Sequence, residues 1–229
     1  MSASNFVCFN NNLSKYICNQ ILSGKTYKKI DFIRDVKTIL DVGANVGASA
    51  VYFSKIYPDA QIYAFEPAKA PYNLLEKNIE LCSNIKKYNF GLYSEDKNVP
   101  LYQSRVDSVT GSVGRSVDNS DITEKIELKD IKKFLNENNI DQIDILKIDT
   151  EGCELPIFKA ILDTHLLNIK VIYVEYHSES DRIAIDEMLS KTHVLGWGSI
   201  LFPHRGEFCY VIKSDNEDIL NKHLISIEI

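Results

Sequence analysis

Apolar positions along this chain fall into short continuous runs separated by stretches of helical spacing. From Phe6 to Val36, the residues Leu13, Ile17 and Ile21, then Ile30 and Ile33, recur at helical intervals interrupted at Ser23-Gly24, which predicts a helical cap over residues 1–37. The run Thr38–Val42 predicts a buried strand, followed by a helix over Ala48–Tyr57, a strand over Gln61–Phe65, a helix over Ala70–Cys82 and a strand around Lys87–Leu92. Between Tyr93 and Ser120 the periodicity is lost among Ser, Gly, Asp and Val, a composition that suits hairpins or a mobile loop over a site. Regular spacing returns with a helix over Leu128–Asn138, a strand over Ile143–Ile148, a helix over Glu154–Leu162 and a strand over Val171–Tyr176. A helix over Arg182–Lys191 follows, then strands Ser199–Phe202 and Phe208–Lys213 around the turn Pro203-His204-Arg205-Gly206. Strands alternating with helices imply an α/β fold with a parallel sheet, and the hairpin-like turn makes the last strand antiparallel. Residues 38–229 therefore read as one domain behind the cap.

Composition narrows the partners. With 229 residues, 45% hydrophobic and 25% charged, the chain can bury a full core and shows no sign of disorder. A formal net charge of −6 argues against a nucleic-acid surface, which needs a basic face to displace counterions. Five scattered cysteines, odd in number and without C-x-x-C spacing, suggest neither a disulfide framework nor a zinc site. The N-terminus lacks a basic start followed by an apolar stretch, and no window is apolar enough for a membrane span, so the expectation is a cytoplasmic, soluble protein.

Candidate chemistry begins at Asp41-Val42-Gly43-Ala44-Asn45-Val46-Gly47, an acid and a glycine-rich turn closing the first strand. A dinucleotide site would want glycine where Asn45 stands, and the Asp41 carboxylate would repel a diphosphate while suiting a cationic or zwitterionic ligand. S-adenosylmethionine is such a ligand, and Glu66, at the end of the second strand, is placed to accept both ribose hydroxyls. Asp41, Gly43, Asn45, Gly47 and Glu66 are therefore candidate cofactor residues. An NAD-dependent oxidoreductase is the competing enzyme reading, and a silent cofactor-binding partner module the competing non-enzyme reading.

Several ordered motifs resemble the FkbM-like family of S-adenosylmethionine-dependent methyltransferases. They are Ile39-Leu40-Asp41-Val42-Gly43-Ala44-Asn45-Val46-Gly47, Ala64-Phe65-Glu66-Pro67, Asn89-Phe90-Gly91-Leu92, Leu146-Lys147-Ile148-Asp149-Thr150-Glu151-Gly152-Cys153-Glu154 and Val174-Glu175-Tyr176-His177. The resemblance spans about Thr38 to Lys213 and implies a Rossmann-like class I methyltransferase fold, a seven-stranded mostly parallel sheet with an antiparallel last strand and helices on both faces. It implies methyl transfer to a hydroxyl, often of a sugar in a glycan or of a natural product, and adds Pro67, Gly91, Leu92 and Asp149 to the cofactor residues. The segment Gln103–Val113 departs from the family's usual serine-rich stretch, with only Ser108 and Ser112 around Val109-Thr110-Gly111.

Methyl transfer to an alcohol needs an aligned acceptor and a base. The C-terminal strand ends carry Asp149 and Glu151 on one strand and Glu175 and His177 on the next, each pair two residues apart and so able to share a face. His177, with an ordinary pKa near neutrality, is the leading candidate base; Asp149, Glu151 and Glu175 complete the catalytic set. Asp149 and Thr150 compete as a helix cap, and Glu151 and Glu154 divide between acceptor contact and the dipole of the following helix. The same side chains, Asp149, Glu175 and His177 with Glu151, are suited to a divalent metal, although direct acid–base catalysis is preferred. His165, His193, His204 and His223 read as solvated or capping, and the aromatic residues, Trp197 included, mainly as core.

Overall fold

Apolar residues on both faces of a strand call for helices on both sides of the sheet, and the chain supplies them. A computed structural model of the chain describes residues 6–104, 111–113, 120–162, 168–213 and 227–228. Helix α1 (Asn12–Leu22) is capped by Asn11, whose side chain accepts from the Ser14 amide. Strand β1 (Thr38–Val42), helix α2 (Ala48–Ile56), strand β2 (Gln61–Phe65) and helix α3 (Lys69–Asn78) follow as the periodicity predicts. After β3 (Ile85–Tyr88) come four strands, β4 (Gly91–Tyr93), β5 (Lys97–Ser104), β6 (Gly111–Val113) and β7 (Ser120–Asp130), and then helix α4 (Ile131–Glu137). The rest is β8 (Ile145–Ile148), α5 (Glu154–Ile161), β9 (Val171–Tyr176), α6 (Glu179–Leu189), β10 (His193–Phe202), β11 (Arg205–Ile212) and β12 (Ile227–Glu228).

The main sheet has the order β12-β10-β11-β9-β8-β1-β2-β3. Strands β3, β2, β1, β8 and β9 pair in parallel, and β11 is antiparallel to both β9 and β10. The two-residue β12 adds an eighth strand at the β10 edge, beyond the expected seven. From β1 the chain proceeds outward through β2 and β3, and later outward on the other side through β8 and β9. The order thus reverses between β1 and β8, where open α/β sheets form a ligand crevice beyond the strand ends. One core packs Leu40, Phe65, Leu146 and Ile148 against α4, α5 and α6; the other packs Ile39, Ile62, Ile145 and Tyr173 against Tyr27 and Phe53.

Several expectations are corrected. The strand around Lys87–Leu92 is two strands in different sheets: β3 pairs with β2, whereas β4 pairs with β7. Of the two alternatives for Tyr93 to Ser120, the antiparallel pairing of β5 with β6 bears out hairpins rather than a loop, and these strands belong to a second sheet, ordered β4-β7-β5-β6, in which β5 is also antiparallel to β7. The helix expected from Leu128 begins at Ile131, because alternation governs up to Asp130: Ile126 and Leu128 are buried while Glu127 is exposed. Asp130 ends the strand and caps α4 by accepting from the amides of Lys132 and Lys133. Helix α6 starts earlier than Arg182 because Ser178 caps it, and β10 starts at His193. Ile30 and Ile33 pack against the core from non-helical chain, so among the described residues of the cap only Asn12–Leu22 is helical. Among the described residues, no helix is long and apolar enough to cross a membrane. His165, His223 and the stretch containing Ser108, Val109 and Thr110 lie outside the described residues.

Candidate active site

The turn after β1 is set by backbone that glycine adopts readily: Gly43 has φ 79° and Gly47, the N-cap of α2, φ 87°. Asn45 also lies at positive φ, 49°, a region asparagine tolerates. A Cβ on Gly43 would overlap the carbonyl oxygen of Asp149, so the β1 and β8 loops meet at a position only glycine can fill. Across this turn, Glu66 accepts from the Asn45 amide at 2.9 Å through Oε2 and from the Ala68 amide at 2.8 Å through Oε1. Burial pushes the Glu66 carboxyl up to about 7 despite those donors. Each oxygen keeps a lone pair for a ligand hydroxyl. Pro67, Gly91, Leu92, Asp149, Glu151 and Cys153 line the same cavity, with Leu101 and Leu128 of the second sheet as its far wall.

Asp41 is fully buried beneath the turn and does not line the cavity. It accepts from the Ser49 hydroxyl at 2.5 Å and lies 3.3 Å from the ammonium of Lys147, its register partner on β8. Lys147 also donates to the carbonyl of Gly43 at 2.5 Å and lies 3.9 Å from Asp149. Burial disfavours that ammonium, but Asp41 and Asp149 outweigh it and keep it charged. The charge expected to attract a cationic cofactor is therefore matched internally. The signal for this partner is a lysine inside the apolar run Ile145-Leu146-Lys147-Ile148, where a lone charge calls for a buried counter-charge.

Strand ends β8 and β9 bring Asp149, Glu151, Glu175 and His177 together, as the spacing predicts. Glu151 (φ 54°) and Gly152 (φ 107°) form a left-handed turn that aims the Glu151 carboxylate at His177 Nε2, 3.2 Å away. His177 Nδ1 lies 3.1 Å from Oε1 of the fully enclosed Glu154, which also accepts from the Thr150 amide and hydroxyl and the Gly152 amide. Neither Asp149 nor Thr150 caps α5, and Glu154, in the first turn of that helix, bonds His177 as well as complementing the dipole. Arg205, read from sequence only as part of a turn, donates to Glu175 at 2.6 Å.

Electrostatics changes the reading of His177. Burial opposes its charge, but the hydrogen bond to Glu154 and the nearby carboxylates of Glu175 and Glu151 raise its pKa to about 11, which favours the imidazolium at neutral pH. The expected near-neutral base is thus occupied by its proton. Asp149 moves the other way: burial, reinforced by Glu175, lifts its carboxyl well above the usual range and makes it the more basic carboxylate. Burial and Glu175 likewise push Glu207 up to about 7.

Three cavities of about 110, 300 and 450 Å³ converge on Asp149. The first is the Glu66 cavity; the second lies between α1 and the β1 turn; the third is walled by Tyr16, Lys28, Trp197 and Glu207. Together they fall within the roughly 300–1,000 Å³ of ligand clefts. Trp197 thus faces a cavity as well as the core. His193 is a buried structural residue, its Nε2 2.7 Å from the Ile169 carbonyl, and His204 stacks on Phe202 in the hairpin turn.

This sheet order, with its inserted antiparallel strand and a crevice built on a glycine turn and a strand-end acid, defines a Rossmann-like methyltransferase. A precorrin-6y C5,15-methyltransferase from Geobacter metallireducens shares the fold with TM-score 0.51 at 12% identity, covering 93% of this chain and 97% of that one. The chain belongs to the FkbM methyltransferase family, whose domain model matches residues 41–206. It is similar to methyltransferase sdnD of Sordaria araneosa, 28% identical with 71% of this chain and 78% of that protein covered. It is also similar to the 2-O-methyltransferase NoeI of Sinorhizobium fredii, 21% identical over 62% of this chain and 63% of that protein.

Proposed function

We propose that this chain is an S-adenosylmethionine-dependent O-methyltransferase whose acceptor is a hydroxyl of a sugar or similarly polyhydroxylated molecule. The observation that carries this reading is the meeting, at Asp149, of the Glu66 cavity with the cavity walled by Trp197 and Glu207. Glu66 takes the ribose hydroxyls while the Asn45 and Ala68 amides hold its carboxylate in place. Pro67, Gly91 and Leu92 frame the base, Gly43 lets the chain pass close to the cofactor, and Gly47 starts the helix behind it. Asp41, through Lys147, holds the β1 and β8 loops together under the sulfonium. Residues 1–37 act as a cap, with Leu13, Ile17 and Tyr27 closing the cavity between α1 and the turn.

In the reaction a bond forms between the acceptor oxygen and the methyl carbon as the carbon–sulfur bond breaks, so the sulfonium becomes a neutral thioether. The hydroxyl proton passes to Asp149, the basic carboxylate of the cluster, while the His177 imidazolium holds Glu151 and Glu175 in position. An acidic, hydrogen-bonding wall suits neutral hydroxylated acceptors and disfavours phosphates, and the printed name of NoeI supports oxygen as the acceptor atom. Calorimetric titration with S-adenosylmethionine, its demethylated product and NADH tests the cofactor, and methyl transfer to a panel of methyl glycosides tests the acceptor. Binding of the first two ligands alone, with transfer to a glycoside, is the expected result. NADH binding without S-adenosylmethionine binding overturns the reading, and cofactor binding without transfer to any hydroxylated acceptor leaves a silent binding module.

A further inference from the structure

The wall of the Glu66 cavity is not built by the sheet alone. Among the described residues that line it, Phe9 is the one contributed from ahead of β1, and it stands with Pro67, Ala68 and Pro71. Residues 6–9 lie outside helix and strand, and Val7 is 44% exposed, so neither a ladder nor deep burial fixes their course. Asn78, the last residue of α3 and only 3% exposed, does so instead. Its Oδ1 accepts from the Val7 amide at 2.8 Å and its Nδ2 donates to the Val7 carbonyl at 2.7 Å, a clasp that imitates one rung of a sheet. The same Nδ2 donates to the Val46 carbonyl at 2.8 Å, so both donor positions of the amide are used.

This clasp joins the segment to the cofactor turn. Val46 sits between Asn45, whose amide holds Glu66, and Gly47, the N-cap of α2. Phe6, Cys8 and Phe9 pack in one apolar cluster with Cys18, Val46 and Ala48, so the segment rests on the turn through apolar contact and takes its register from Asn78. The Phe9 carbonyl accepts from the amide of Asn11, the cap of α1, which leads the segment directly into the helix that walls the second cavity. Taken alone, the Glu66 cavity of about 110 Å³ is smaller than the roughly 300–1,000 Å³ of ligand clefts. Among the described hydrogen bonds of residues 6–10, those to Asn78 are the ones that reach past α1, so this wall can swing aside at the cost of a single side chain's bonds.

We propose that residues 6–9 are a strap that closes the Glu66 cavity over the bound cofactor, with Phe9 as its contact and Asn78 as the positioning residue that latches it. The strap's part in retaining S-adenosylmethionine rests on the methyl-transfer reading; the latch itself does not. The test follows release of the demethylated cofactor product from the full chain by stopped-flow displacement, together with hydrogen exchange of the peptide covering residues 6–11. Val7→Pro removes the donated amide at an exposed side chain and leaves buried Asn78 in place, whereas Asn78→Ala removes the clasp and the Val46 bond together. The expected result is release about 3- to 10-fold faster in both variants, with association changed less and exchange of residues 6–11 accelerated. Phe9→Ala should speed release similarly, and combining it with Val7→Pro should add little, because both changes remove the same contact. Release from Val7→Pro at the unmodified rate overturns the strap whatever Asn78→Ala does, since Asn78 would then act through Val46 alone. Failure of the unmodified chain to bind the product overturns the cofactor reading instead. Exchange of residues 6–11 still decides the latch in that case, faster in Val7→Pro if Asn78 holds the segment and unchanged if it does not.

Discussion

The two halves of the crevice are built by different physics. On the β1–β2 side, position is set by backbone: positive-φ turns at Gly43, Asn45 and Gly47, and one carboxylate pinned by two amides. On the β8–β9 side, position is set by charge, with Asp149, Glu151, Glu154, Glu175 and His177 arriving from two strand ends and a helix, and Arg205 from a distant hairpin. A backbone-built site binds with little reorganisation, whereas a charge-built site depends on every partner being present. Substitutions should therefore separate binding from turnover along this line.

The strongest disturbance should come from Lys147→Met, which sits where the halves join. It leaves Asp41 buried and uncompensated, and thermal unfolding should show a loss of about 3–5 kcal/mol; adding Asp41→Asn should recover part of it. An unchanged melting temperature would mean that the halves are not joined through this pair. His177→Ala should lower turnover by ~10²-fold or more while S-adenosylmethionine affinity is retained, and equal losses in both would erase the division. Glu66→Gln should do the converse, weakening cofactor binding by about 1.5–3 kcal/mol through lost hydrogen bonds to a charged acceptor, with turnover at saturating cofactor little changed.

The smallest effect is one of pH. On the proposed reading the ribose hydroxyls favour ionised Glu66, whose carboxyl burial pushes up to about 7, so the ligand should lower that value on binding. Affinity should thus be full above pH 8 and fall up to about tenfold by pH 6, as protonation competes with the ligand. In Glu66→Gln that slope should vanish; if it persists, the titrating group lies in the other half.

The sequence was readable where structure is local. Gly43, Gly47 and Glu66 stand at or just after the ends of predicted strands, and the turn's geometry follows from residues within a few positions, whereas the charge of Asp41 is matched by Lys147 far along the chain. Asp149, Glu151, Glu175 and His177 were also found, because side chains two apart on adjacent strand ends converge. What could not be read was who pairs with whom. Arg205 looks like a turn residue until β11 is known to lie against β9, and the pKa of His177 depends on Glu154, which the helical pattern assigns to the dipole. Leu128, Ile131, Phe134 and Leu135 mimic a helical stripe, so β7 was hidden until its pairing with β5 fixed the period at two.

Strand β11 has one further consequence. Because it runs against its neighbours, its first residues, not its last, reach the strand-end cluster: Gly206 and Glu207 pair in register with Tyr176 and Glu175 of β9, and the Arg205 side chain donates to Glu175. Trp197 and Ser199 arrive at the same wall from β10, so the hairpin 193–212 supplies one side of that cavity, facing Tyr16 and Lys28, whereas most of the Glu66 cavity comes from residues 42–92. Under the proposed reading, exchanging this hairpin would change much of the wall beyond Asp149 while leaving Asn45, Glu66 and Pro67 of the Glu66 cavity in place.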